Sequence, residues 1–222
     1  MEIWLDSADT QSVIHFENIG LISGITTNPK ILSGTIKPPL ETLQSLLEAS
    51  SKPICAQILA QNAREIIVQA KELQNISKRI IVKIPANEQG YLAMKELVDE
   101  GIPVLSTSVF TASQVLISCK LNVDYIAPYI NHIKLINLNW EQEIKKMVMV
   151  VNSINCKSKL MMASIKSIED IYYSIAVGAK SITVPGNILE QLLDTPEEMS
   201  EVLDEFQSAW NTVKEDLIFA NE

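Results

Sequence analysis

Arg79-Ile80-Ile81-Val82-Lys83-Ile84-Pro85 is a short β-branched apolar run broken by one cation and closed by a proline. Runs of this length and apolarity read as buried strands. A buried ammonium is costly unless it is paired or gives up its proton. At its reference pKa a lysine is free amine in only about one molecule in two thousand at pH 7. Apolar surroundings lower that pKa by up to about 3–5, and the amine then becomes a nucleophile. Lys83 is therefore the candidate for covalent chemistry on a carbonyl. The competing reading is a strand-end lysine whose head reaches solvent.

Seven further strand-like runs flank this one: Glu2–Asp6, Leu21–Thr26, Pro53–Leu59, Pro103–Thr107, Tyr125–Tyr129, Lys159–Ala163 and Ser181–Pro185. Helical patterns separate most of them, among them Leu40–Glu48, Ala63–Leu73, Gly90–Glu100, Ala112–Leu121 and Glu141–Val151. In Ser167–Ala176, Ile168, Ile171 and Ile175 recur at helical spacing and share one face. Eight strand–helix repeats in 222 residues predict an α/β fold, a single (β/α)8 TIM barrel spanning 1–222. The alternative is an open doubly wound sheet. No G-x-G-x-x-G follows the first run, which counts against it. Residues 194–222 read as a C-terminal helical extension, with a helix over Glu197–Leu217. Its Val202, Leu203, Phe206, Trp210, Val213 and Leu217 form an apolar face available to a neighbouring subunit.

Composition narrows the function. The chain is 47% hydrophobic, enough for one substantial core. Its net charge of −9 disfavours a nucleic-acid partner. No apolar stretch approaches the ~20 residues of a membrane span. Met1-Glu2-Ile3-Trp4-Leu5-Asp6 opens as a strand without a basic leader, so no secretory signal is expected. Cys55, Cys119 and Cys156 are scattered and odd in number, which predicts neither a metal site nor a disulfide framework and suits a reducing cytoplasm.

In such a barrel the chemistry sits at the C-terminal ends of the strands. The polar residues there are Asp6, then Thr26 with Thr27 and Asn28, then Gln57, Lys83, Thr107, Tyr129 with Asn131, and Ser164 with Lys166. Strand alternation places Asp6 on the face of Trp4, Gln57 on that of Cys55, and Lys83 on that of Ile81. One lysine among a carboxylate, an amide, hydroxyls and a phenol makes a plausible Schiff-base site. Each residue also has a plainer reading. Asp6 could cap a helix, Thr26 to Asn28 could serve a turn before Pro29, and Gln57 and Tyr129 could be satisfied core groups.

Gly24-Ile25-Thr26-Thr27-Asn28-Pro29 resembles the transaldolase signature near the end of the second strand. Ile81-Val82-Lys83-Ile84-Pro85 resembles the same family's Schiff-base lysine segment. Leu5-Asp6, Gly101-Ile102-Pro103, Ala127-Pro128-Tyr129 and Ala163-Ser164-Ile165-Lys166 fall in family order. The resemblance covers nearly the whole chain and is with the short branch that includes fructose-6-phosphate aldolases. It implies that Lys83 is the nucleophile and that Asp6 orients a dihydroxyacetone moiety and assists proton transfer. It implies that Thr26 and Asn28 contact substrate hydroxyls, that Thr107 and Gln57 hold a catalytic water, and that Ser164 lies at the phosphate end. It further implies a sugar-phosphate substrate, no cofactor, and a homo-oligomer, with a decamer as the family form.

In that family, true transaldolases tend to carry Glu and Phe where this chain has Gln57 and Tyr129. A phenol beside the water supplies a proton donor that phenylalanine lacks. The aldolase reading is therefore preferred, with transaldolase as the alternative and a non-catalytic metabolite-binding barrel as a third. The chain departs from the family pattern after Tyr129. His132 stands where a phosphate-gripping arginine is usual, in a segment without glycine, and Lys30 replaces a small hydroxyl residue. Neutral histidine offers one N–H and no bidentate fork. Lys166, Lys134 and the amides near Gly186-Asn187 are the candidate replacements.

Overall fold

A computed structural model of the protein describes residues 1–154 and 156–212. Its strands are β1 (Glu2–Asp6), β2 (Gly24–Thr26), β3 (Ile54–Gln57), β4 (Ile80–Pro85), β5 (Val104–Val109), β6 (Tyr125–Pro128), β7 (Lys159–Met162) and β8 (Ser181–Pro185). Helices α1 (Thr10–Asn18), α2 (Pro29–Ser33), α3 (Pro39–Ala49), α4 (Ala63–Ile76), α5 (Glu88–Asp99) and α6 (Ala112–Lys120) lie between the first six strands, α2 and α3 both between β2 and β3. Then come α7 (Ile130–Ile136), α8 (Trp140–Ser153), α9 (Ile168–Ala176), α10 (Gly186–Gln191) and α11 (Glu197–Thr212). The strands are parallel and close in sequence order, with β8 pairing back to β1. The expected (β/α)8 barrel is therefore the observed fold, and the open sheet is set aside.

Parallel strands under a helical layer must be apolar on both faces. Inside the barrel, Trp4, Cys55, Ile81, Leu105, Ala127 and Met161 form one buried cluster. On the other parity, Leu5, Ile25, Ile54, Val82 and Ile126 are equally buried. The helices contribute their apolar faces: Val13 and Phe16 from α1, Ile66 and Ala70 from α4, Ile144 and Met147 from α8.

Gly24 is explained by packing. A Cβ there would lie 2.3 Å from a ring carbon of Trp4, which is fully buried and in edge contact with Tyr125 at 5.2 Å. The indole has no free volume into which to retreat. Gly24→Ala is expected to cost about 3 kcal/mol of stability, read as a lowered denaturation midpoint. An unchanged midpoint would mean that Trp4 is not held there.

Several boundaries differ from the sequence reading. β2 is shorter than Leu21–Thr26, beginning at Gly24. β5 runs past Thr107 to Val109 through an irregularity in its pairing with β6, where Ser108 takes a left-handed φ of 56°. α1, absent from the helical patterns above, starts on Asp9, whose side chain accepts from the amides of Gln11 and Ser12. The glycine-free segment after Tyr129 is helix α7, which buries Ile130 and Ile133.

The chain divides into two compact units, Met1–Leu189 and the residues from Glu190 onward. The second unit contains α11, which buries none of its residues and presents Met199, Val202, Leu203, Phe206 and Trp210 as an exposed apolar stripe. Val213 and Leu217 of the expected stripe lie outside the described residues.

Candidate active site

Lys83 is 5% exposed, which rules out the solvent-facing reading. It lies on β4 beside Gln57 of β3 and Leu105 of β5, two residues beyond the interior Ile81. Alternation therefore points it into the barrel near the C-terminal rim. Its Nζ donates to the carbonyl of Thr27 at 2.9 Å. Thr27 is itself pinned, with its amide and hydroxyl both donating to the Cys55 carbonyl. Below the rim, burial pushes the Cys55 thiol up to about 12, with the Lys83 charge opposing and the Asp6 charge reinforcing the rise. Cys55 is thus a neutral filler beneath Lys83 and Asp6.

Asp6 does not cap α1; Asp9 does. Its Oδ1 accepts the Thr26 hydroxyl at 2.6 Å, and Thr26 Oγ1 lies 2.5 Å from Thr183 Oγ1. A hydroxyl has one proton to give. Once Thr26 donates to Asp6, Thr183 must donate to Thr26. The result is a one-way chain from Thr183 through Thr26 to Asp6, which fixes the carboxylate from behind. Thr183 was missed in the sequence, although its inward parity on β8 marks it.

Thr107 and Tyr129 form the second polar pair, with Oγ1 and OH 2.9 Å apart. The β5 irregularity at Ser108 follows directly on Thr107. Tyr129 follows β6, bridges to Ala163 and heads α7. Its ring lies 5.9 Å from Phe110 and 5.4 Å from His132. Gln57 is half-buried, and among the described residues its amide has no protein partner. Asn28 serves both of its readings: Oδ1 caps α2 by accepting from Ile31 N at 3.0 Å, while the residue lines the cleft beside Asp6.

The remaining predicted residues gather on Asp170, which the sequence reading missed. Asp170 is buried, and its carboxylate accepts from Lys134 Nζ, from Asn131 Nδ2 at 2.6 Å and from the Lys166 amide at 2.8 Å. Burial raises its pKa, but Lys134, the Lys166 amide and Asn131 outweigh that and hold it below 3.8. Asn131 also donates to the Ser164 carbonyl at 2.7 Å. Ser164 takes a left-handed φ of 63°, and its hydroxyl lies 3.0 Å from His132 Nδ1. Lys134, offered above as a phosphate ligand, is engaged by Asp170 and sits 4.7 Å from the Trp140 ring centroid. The cations left to the cleft beside Asp6 are Lys30 and Lys166. That cleft has a volume of about 710 Å³ and is also lined by Asn28, Ile36 and Pro185. Among the described residues, no three His, Cys, Asp or Glu side chains group to hold a metal ion. No helix among them is long and apolar enough to cross a membrane.

A parallel eightfold barrel with an interior lysine, a carboxylate and a phenol–hydroxyl pair at one rim belongs to the class of α/β barrels that carry polar chemistry on their strand ends. The comparisons narrow it. The transaldolase/fructose-6-phosphate aldolase family matches residues 3–221, and the chain belongs to that family. A probable transaldolase of Lactiplantibacillus plantarum is 31% identical over 196 residues, 88% of this chain and 90% of that protein. One from a Thermoanaerobacter species is 29% identical over 88% of this chain and 91% of its own. One from Roseobacter denitrificans is 27% identical over 95% and 96% respectively. The family is one of enzymes of aldolase or transferase type.

Proposed function

We propose that the protein is a class I aldolase that cleaves and forms the C3–C4 bond of a ketose such as fructose 6-phosphate. Lys83 Nζ attacks the C2 carbonyl, and the carbinolamine loses water to give an iminium. Asp6 takes the proton of the C4 hydroxyl. The C3–C4 electron pair flows into the iminium, giving an enamine on Lys83 and releasing an aldehyde such as glyceraldehyde 3-phosphate. Protonation of the enamine at C3 and attack of water on the iminium then free dihydroxyacetone and the amine. Gln57 and Thr107 hold that water, Thr26 and Asn28 meet the substrate hydroxyls, and Ser164 with Lys166 and His132 faces its far end. Asn131 positions Ser164 through its carbonyl.

The observation that carries the aldolase reading is the Thr107–Tyr129 pair, 2.9 Å apart. A phenol proton donor then stands on the strand beyond Lys83's own neighbour, where the enamine must be protonated and hydrolysed. The names of the relatives favour a second reading, a transaldolase that passes the enamine to an acceptor aldose phosphate. Product formation with and without acceptor separates the two. Free dihydroxyacetone, formed without acceptor at the full turnover rate, is expected. Strict dependence on an acceptor would overturn the aldolase assignment in favour of transfer. Borohydride reduction in the presence of dihydroxyacetone is expected to add mass at Lys83. An adduct at Lys30 or Lys166 would contradict the assignment of Lys83 as the nucleophile.

The protein is also proposed to be a homo-oligomer. The bare stripe on α11 supports this, as does an apolar cavity of about 760 Å³ lined by Leu32, Leu40, Leu43, Leu59 and Leu73. Mass in solution reads it directly.

A further inference from the structure

Thr183 and Thr26 stand on strands that are not neighbours in the sheet. β8 pairs with β1 and β1 with β2, but no ladder joins β8 to β2. Thr183 is opposite Trp4 in one ladder, and Thr26 is opposite Asp6 in the other. Their hydroxyls nonetheless meet over β1, with Oγ1 atoms 2.5 Å apart, and both residues are buried. Among the described residues, Thr183 makes no other side-chain hydrogen bond. Thr26 has one proton, which goes to Asp6 Oδ1, and one of its two lone pairs receives the Thr183 proton. A single lone pair remains, so toward a substrate hydroxyl Thr26 can only accept. Asp6 Oδ1 is likewise taken by a donor. Among the described residues Oδ2 has no hydrogen-bond partner, and it is the oxygen left to take a proton.

The geometry points to Thr183 as a positioning residue for the proton transfer that breaks the C3–C4 bond. This rests on Asp6 being the base of that step. The C4 O–H bond breaks and its proton moves to Asp6 Oδ2. The O–H electron pair becomes the second bond of the C4 carbonyl, and the C3–C4 pair enters the iminium to give the enamine. Oδ1 goes on accepting from Thr26 before and after the transfer, so the carboxyl does not turn as it gains the proton. Without the Thr183 hydroxyl, Thr26 is free to swing its proton from Asp6 to a substrate hydroxyl. The second bond of the chain, which keeps the first one aimed, is then gone. The loss falls on bond cleavage rather than on substrate binding, because Thr183 lies behind Thr26 and acts through it.

The test is single-turnover release of glyceraldehyde 3-phosphate from fructose 6-phosphate, with enzyme in excess. Aldolase and transaldolase share that step, so the result does not depend on the fate of the enamine. Borohydride trapping with dihydroxyacetone reports Lys83 separately in each variant. Thr183→Val is expected to lower the release rate about tenfold, with less than about a twofold change in the half-saturating substrate concentration. Its adduct at Lys83 should be undiminished. Thr183→Ser keeps the hydroxyl and should release at a rate within about twofold of wild type. In a Thr26→Val background, adding Thr183→Val should change the rate less than about twofold, because the two residues act in series. Should Thr183→Val not fold, Thr183→Ala is read in its place, with the same loss expected. The proposal is overturned if the variant lacking the hydroxyl keeps the wild-type rate, or if Thr183→Ser is equally slow. It is also overturned if the losses from Thr26→Val and Thr183→Val multiply in full. A wild-type protein that forms no Lys83 adduct or releases no aldehyde would instead overturn the site reading on which the proposal stands.

Discussion

Lys83→Arg is expected to lower turnover on the order of 10⁴-fold or more and to abolish the borohydride adduct, with the far-ultraviolet circular dichroism unchanged. Arginine can still donate to the Thr27 carbonyl but does not lose its proton under protein conditions, so the nucleophile is gone while the donor stays. The guanidinium is bulkier, and the site is tight. Lys83→Met is therefore the companion variant: it keeps an unbranched side chain of similar length and removes the charge. Both variants should lose the adduct. Turnover surviving in either would mean that another amine carries the chemistry, and Lys83 would then be a structural residue holding the Thr27 carbonyl.

Asp170→Ala is expected to cost about 2–4 kcal/mol of folding free energy, measured by denaturant titration. The carboxylate is 4% exposed, whereas Lys134 is 29% exposed. Removing Asp170 takes one of the two acceptors of the Asn131 amide, strands the Lys166 backbone N–H and leaves Lys134 only partly solvated. Because Lys134 can still reach water, the expected loss sits below the full cost of an orphaned buried ion. The same network sets an acid response. The Asp170 carboxyl is held below 3.8 in the folded protein. Its contribution is complete above the unfolded value, near 3.9, and is lost as pH falls through the lower folded value. Acid unfolding of the wild type should therefore include this loss, and Asp170→Asn should flatten it. Asp170→Asn should also raise KM more than it lowers kcat, because Ser164 and Lys166 depend on Asp170 for position but do not perform bond cleavage. An acid profile identical in the two proteins would show that the carboxylate stabilises nothing.

Much of the site was legible one residue at a time. Lys83, Asp6, Gln57 and Thr107 were readable because strand parity is a local property: a polar residue two beyond an apolar interior residue must share its face. Trp4, Cys55 and Ile81 in the interior cluster bear out that parity. Helix α7 was hidden by its brevity: seven residues, with Ile130 and Ile133 buried but Leu135 and Ile136 exposed, give too short a run for a helical period to stand out. Asp170 was hidden differently. On sequence it looks like an ordinary acid in the first turn of α9, and only the approach of α7 makes it a hub.

The amino-acid order by itself determined the eightfold alternation, the inward parity of the rim residues and the family to which the chain belongs, since each rests on spacing along the backbone. Tertiary structure alone decided the partners. Thr183 lies behind Thr26, and Lys134 is spent on Asp170 while Lys30 and Lys166 are left to the cleft. These contacts join residues far apart in the chain. Closing the barrel sets which strand ends are neighbours, and no local pattern encodes that geometry.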